Sequence, residues 1–383
     1  MTTHNRTHSL RKLSLKFLAV GLLGVAAVYT GVSPAAAEDQ PQSCRTVQIP
    51  VTIGSEPTSG QITGDYCEPR QSNDIVLLLV GGGAENADYW NMPGLSEGSL
   101  ALSAARAGYA SLAIDRLGTG RSTIPRSSVS VTYPEIVSTT EQTTSALRHN
   151  PALFGRSWSK VVGIGHSLGS GTLAGVAANT PSALDALILT GYGPQVTPQT
   201  AELNALYQKP ANTVDPKWAG LDDGYLTVVP TGVDKVGLFY LPDTTPHTLA
   251  LAATHQGTLS KTELQTRPQG GDALAQGGRV QVPALIVDGQ HDRHYCEDNP
   301  IDSPATIAPT CADQQAFYNY EKQLLANTCL ATRVLPDTGH AFAEEKNSAA
   351  INRMLLGWLR ATIEQQQIRC AMSGPIPSAD TTG

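Results

Sequence analysis

Short apolar runs rich in β-branched residues, each ending in turn residues, alternate along this chain with longer helical stretches. That rhythm restricts the fold more than any other feature, because it is the pattern of βαβ crossovers. Strands buried on both faces read as continuous apolar runs, whereas strands of a half-exposed sheet alternate polar with apolar. The runs at 74–80, 110–115, 160–165, 184–190, 282–288 and 331–335 are of the first kind. Helical stretches lie between them, near 95–107, 134–150, 168–179, 312–326 and 349–366, and two early strands are expected at 47–53 and 62–67. The expectation is an α/β fold with a mostly parallel sheet flanked by helices. With 40% hydrophobic and 15% charged residues among 383, the chain can bury a large core, which excludes coiled-coil, collagen-like and disordered classes.

The first 37 residues stand apart from this pattern. Arg6, Arg11, Lys12 and Lys16 precede an apolar run over 17–32, and small residues follow at Ala35, Ala36 and Ala37. This is the layout of an export signal cleaved after Ala37, and the run is shorter than the roughly 20 residues of a spanning helix. The expectation is a secreted protein without a stable membrane anchor. Cleavage removes four cations and no acid, moving the formal net charge from −7 to −11, a balance that argues against nucleic-acid partners.

All six cysteines, Cys44, Cys67, Cys296, Cys311, Cys329 and Cys370, follow the cleavage site. An even count in an oxidising compartment predicts three disulfides. Pairing of sequence neighbours would join Cys44 to Cys67, Cys296 to Cys311 and Cys329 to Cys370. Residues 38–192 and 279–370 then form two parts of one core. The stretch 193–278, rich in Pro, Gly and Thr and without a strong strand, reads as an inserted lid, and 371–383 as a flexible tail.

Gly165-His166-Ser167-Leu168-Gly169 fits the G-x-S-x-G nucleophile elbow, as does Gly94-Leu95-Ser96-Glu97-Gly98. Only the first lies between a buried strand and a small-residue helix, the setting that exposes a strained serine at a strand end. Ser96 reads instead as a helix N-cap. A serine hydroxyl needs a base to take its proton, and the base needs an acid to orient it. Downstream, Asp292 sits in a turn just beyond the strand at 282–288, with Asp288 as the alternative acid. His340 lies on the loop after the strand at 331–335. His166 is expected to pack beside the nucleophile, and His291 and His294 to flank the acid turn.

Oxyanion stabilisation requires two backbone donors. Leu168 supplies one; the glycine loop Gly81-Gly82-Gly83 supplies the other, from Gly82 or Gly83. Trp218, Tyr225, Phe239 and Tyr240 of the lid are candidates for a substrate pocket. The turn from Asp115 to Ser122 lacks a phosphate-binding pattern, and the histidines around Cys296 lack a second ligand pair at metal-site spacing, so neither cofactor nor metal is expected.

These features together resemble the α/β-hydrolase superfamily, in its secreted, lid-bearing serine hydrolase form, over about residues 74–366. The resemblance implies an eight-stranded, mostly parallel sheet, a lid after the sixth strand and transfer of an acyl group from a small-molecule substrate to water. Val80 departs from the pattern where many members carry histidine, as does the disulfide excursion after Asp292. A carboxylic ester hydrolase is the leading expectation. An acyltransferase, lyase or cyclase using the same three residues to tailor a metabolite is the alternative, and a non-catalytic binding protein is a third.

Overall fold

The computed structural model describes residues 44–54, 58–95, 98–228, 237–297, 307–364 and 374–376. The expected export signal and its cleavage site lie outside the described residues. Strands β1 (Cys44–Ile53) and β2 (Thr58–Cys67) form an antiparallel hairpin, followed by β3 (Ile75–Val80), β4 (Ala110–Ile114), β5 (Lys160–His166) and β6 (Ala186–Thr190). Between 193 and 278, where no clear strand was expected, β7 (Gln208–Pro210), β8 (Tyr225–Val228) and β9 (Leu259–Ser260) form a small antiparallel sheet. β10 (Ala284–Gly289), β11 (Leu330–Leu335) and β12 (Gly374–Pro375) complete the main sheet.

Among the described residues the main sheet has nine strands, in the order β1-β2-β4-β3-β5-β6-β10-β11-β12. The expected count was eight. The difference is β12, which comes from the stretch read as a tail: Gly374 and Pro375 pair in parallel with Ala331 and Thr332, and Arg333 donates to the Ile376 carbonyl at 2.9 Å.

The central strands explain their own composition. In β3, Val76, Leu78 and Val80 enter the core on one face while Ile75, Leu77 and Leu79 enter the other. The first face is covered by helices Tyr133–His149 and Leu168–Asn179, the second by Leu100–Arg106 and Ser348–Leu359. Thr132 caps Tyr133–His149 by accepting from the Glu135 amide at 3.3 Å, with Pro134 in the first turn. The helix expected to start near Leu95 begins later, at Leu100, because Ser99 provides the cap, accepting from the Leu102 amide at 3.1 Å. Ser96, expected as that cap, lies outside the described residues.

Strand order places the functional loops. β3 lies between β4 and β5, so the chain leaves β3 toward one edge and returns to β5 on its other side. Loops leaving two such strands diverge and open a crevice at their carboxyl ends. Val80 pairs with Gly165, which sets Gly81 to Gly83 beside Ser167. Cys44 bonds Cys67 across the hairpin and Cys296 bonds Cys311, both as expected. Cys329 is also disulfide-bonded; Cys370, its expected partner, lies outside the described residues.

A pair of glycine substitutions separates close packing from helix propensity. A Cβ at Gly169 would fall on the carbonyl oxygens of Val80 and Gly81, whereas one at exposed Gly357, also helical, would meet nothing within 4 Å. Gly169→Ala is expected to destabilise by about 1–3 kcal/mol, and Gly357→Ala to stabilise by up to about 1 kcal/mol, both read by urea denaturation.

Candidate active site

Ser167 has φ +50° and ψ −119°, a conformation that costs a serine energy and persists only where its surroundings enforce it. The enforcement is visible. Its amide donates to the Thr190 carbonyl at 2.8 Å, at the end of β6. A Cβ at Gly165 would lie 2.6 Å from the Ser170 nitrogen, so both glycines of the elbow are sites of backbone contact. Ser167 thus stands at the carboxyl end of β5, and Leu168 opens the following helix, whose first amides have no intrahelical acceptors.

β10 and β11 are parallel neighbours, with Gly289 opposite Leu335. Their following loops run side by side, tied by the His291 amide donating to the Thr338 carbonyl at 2.8 Å. This brings His340 to Asp292: Nδ1 and Oδ2 are 2.5 Å apart. The other Asp292 oxygen accepts from the His294 amide at 2.7 Å, which fixes the carboxylate plane. Gly191 (φ +55°) closes β6, and a Cβ there would come within 2.7 Å of the His166 ring and 2.9 Å of the His340 ring. The two rings can therefore sit where they do only because residue 191 has no side chain. Ser167, Leu168 and His340 line one cavity enclosing about 1070 Å³ of open space, mouth included.

Asp288, the alternative acid, is fully buried within β10, and its carboxyl is bonded to the Gly289 amide at 2.9 Å, not to His340. Burial, then the nearby Asp292 charge, pushes its carboxyl well above the usual range. Asp292 goes the other way. Burial alone would raise it, but the charge and hydrogen bond of His340 hold it below the usual carboxylate range. For His340, burial opposes protonation, yet Asp292 and then Glu85 and Glu345 carry it above the ordinary 6.5. Burial first, and the charge of His340 second, drive the His166 pKa well below 6.5. Its ring stacks on Tyr89 with centroids 4.6 Å apart. His291 stacks on Tyr240, and His294 meets the Tyr207 hydroxyl at 2.9 Å; both flank the acid turn.

The glycine loop holds a residue that sequence reasoning missed. Glu85 turns back on its own loop and accepts from the Gly82 amide at 2.5 Å. That amide is therefore engaged, while Gly83 lines the cavity. Glu85 also lines the cavity, with Oε1 3.6 Å from His166 Nε2, and burial pushes its carboxyl up to about 7. Behind the loop, buried Arg116 donates to the Gly82 carbonyl at 2.8 Å and pairs with Glu263. The Asp115 to Ser122 turn is thus a buttress of the loop. Nothing in the one-dimensional pattern marks Glu85, since its role depends on a three-residue return.

Of the four aromatic candidates, Phe239 lines the cavity and the other three do not. Trp218 is packed in the core, and Tyr225 is fully buried with its hydroxyl on the Pro125 carbonyl at 2.6 Å. Tyr240 faces His291. Composition revealed the aromatics but not their direction, and the cavity is closed instead by Leu238, Leu249 and Arg267 of the same stretch. Among the described residues no group of three or more His, Cys, Asp or Glu is placed to hold a metal, and no helix is long and apolar enough to cross a membrane.

Comparison with known proteins gives one family match, to the alpha/beta hydrolase family over residues 76–353. No curated protein matches. Among solved structures, a thermophilic esterase from Thermogutta terrifontis is similar at 14% identity and TM-score 0.53, covering 82% of this chain and 98% of that one. A carboxylesterase from Bacillus subtilis is similar at 14% identity and TM-score 0.54, covering 84% and 94%. An alpha/beta hydrolase from Novosphingobium aromaticivorans is similar at 16% identity and TM-score 0.51, covering 83% and 99%. At such identities these likenesses concern the fold.

The charge environment of His340 is open to direct test. NMR titration of the histidine ring protons should place His340 above 6.5, and Asp292→Asn should bring it down, since the ring then loses its largest stabilising charge. An unchanged His340 titration in Asp292→Asn would contradict this account.

Proposed function

Since this chain belongs to the alpha/beta hydrolase family, we propose that it is a secreted serine esterase. It cleaves a small-molecule carboxylic ester through Ser167, His340 and Asp292. The observation that carries this reading is the 2.5 Å contact between His340 Nδ1 and Asp292 Oδ2, with the same imidazole and Ser167 lining one cavity.

The chemistry follows from that arrangement. Asp292 holds the Nδ1 proton, which leaves Nε2 as the basic nitrogen. His340 takes the Ser167 proton as Oγ bonds the ester carbonyl carbon. The tetrahedral oxyanion is met by the Leu168 amide and by the glycine loop, where Gly83 is the better placed donor because the Gly82 amide is engaged by Glu85. His340 then gives its proton to the departing alcohol, and water, deprotonated by the same ring, releases the acid. The mechanism requires no cofactor. Export is supported by the amino-terminal sequence with its site after Ala37, and by disulfides that persist in oxidising compartments.

Two outcomes test the proposal. Ser167→Ala should abolish hydrolysis of p-nitrophenyl butyrate and labelling by a fluorophosphonate, while Ser96→Ala should retain both; the reverse would move the nucleophile to the other elbow. For the wild type, kcat/KM should rise with pH through a value above 6.5, because His340 must be neutral to accept a proton. Asp292→Asn should lower the rate on the order of 10⁴-fold and shift that limb to lower pH. Product analysis should find free acid; transfer to an added alcohol in preference to water would favour the acyltransferase alternative.

A further inference from the structure

Arg267 lines the cavity and, among the described residues, has no ion-pair partner. It follows the helix Lys261–Thr266, where its own amide donates to the Glu263 carbonyl at 3.0 Å. That helix is anchored twice. Ser260 caps it, accepting from the Thr262 amide at 3.0 Å, and Glu263 pairs with buried Arg116. The guanidinium is therefore carried on a fixed support and lines the same cavity as Ser167 and His340. Its Nε is buried with no acceptor, and among the described residues it makes neither an ion pair nor a side-chain hydrogen bond. By contrast His255, also on the cavity wall, is matched by Asp88 at 2.8 Å.

A buried guanidinium edge without an acceptor is costly, and a planar carboxylate offers two oxygens in the geometry of its fork. The cavity is also polarised. The field of Arg267 acts on Tyr192, His294 and Tyr295, whereas Glu85 and Glu344 act on Tyr89. Glu344 is only 8% exposed, lines the cavity, and its charged neighbours are the acids Glu85 and Glu345. The His294 ring lies 4.6 Å from that of His340, so the cationic end of the cavity adjoins the reacting end.

We propose that Arg267 binds a carboxylate carried by the substrate, so that the preferred esters are those with a free carboxylate in the acyl or the alcohol part. The inference rests on the esterase reading for its turnover and on the cavity alone for its binding.

Two matched pairs of esters test it. The first is p-nitrophenyl hemiglutarate against its methyl-capped counterpart, which puts the carboxylate in the acyl part. The second is 4-butyryloxybenzoate against its methyl ester, which puts it in the leaving group. In at least one pair the full wild-type chain should favour the carboxylate in kcat/KM by on the order of ten- to a hundredfold. Arg267→Gln should bring that ratio near one, chiefly through KM, and Arg267→Lys should keep part of it. No preference in either pair, or a preference that survives in Arg267→Gln, overturns the proposal. Binding is read separately: glutarate should raise the Tm of the wild type and not of Arg267→Gln, and equal shifts in both proteins also overturn it. Should neither neutral ester be turned over, the esterase reading fails, while the glutarate shift still decides the carboxylate site.

Discussion

Two stretches of backbone meet at the carboxyl ends of β3 and β5 with no room for a methyl group between them. The start of helix Leu168–Asn179 lies against the carbonyls of Val80 and Gly81, and Gly165 lies against Ser170. Everything at the site follows from that approach. It holds Ser167 at positive φ and brings Ser167 and Leu168 against the glycine loop. Helix and strand could not come this close with ordinary residues. The glycines therefore set the geometry of the site, although none carries a side chain into it. Gly191 extends the same logic to the third loop, by leaving space for two imidazole rings.

Around this rigid corner the chain gathers acids in unusual number. Buried Asp288, Asp292, Glu344 and Glu345 and half-buried Glu85 lie about the His340 imidazole, and desolvation raises the pKa of four of the five. Only Asp292, in direct contact with His340, is held low. A buried carboxylate without a partner costs several kcal/mol, so the protein avoids charging the rest. The result is one stable anion aligned with one base, surrounded by groups that take up protons readily.

The sheet was legible in the sequence because its central strands are buried on both faces, which removes polar residues and leaves unbroken apolar runs. Their ends drifted by one or two residues, as at Ala284 against the expected 282 and Ala186 against 184, since turn residues and strand residues overlap in type. The meeting of Asp292 with His340 was also legible, because each follows the end of a strand and those strands are neighbours. Less could be seen where a contact joins distant turns. Glu85 engages Gly82 through a local return, β12 pairs with a strand some forty residues earlier, and Tyr225 points into the core although its neighbourhood is loop-like. None of these has a period or a spacing. The cap at Ser99 shows only as its oxygen accepting from the Leu102 amide, which residue type alone does not mark.

The stretch between β6 and β10 is where the cavity acquires its individuality. Its small sheet and short helices share few features with the parallel core, yet Arg116 joins them, since one guanidinium holds both the Gly82 carbonyl and Glu263. Breaking either contact would leave a buried cation partly unpaired, so the glycine loop and the helix Lys261–Thr266 are energetically linked. Arg267, the next residue along, inherits that positional precision. The part of the cavity that makes chemistry possible and the part that would choose a substrate are thus fixed by the same buried arginine. On the proposed reading, a change of substrate charge would arise by substitution at 267 alone, with the glycine loop left in place.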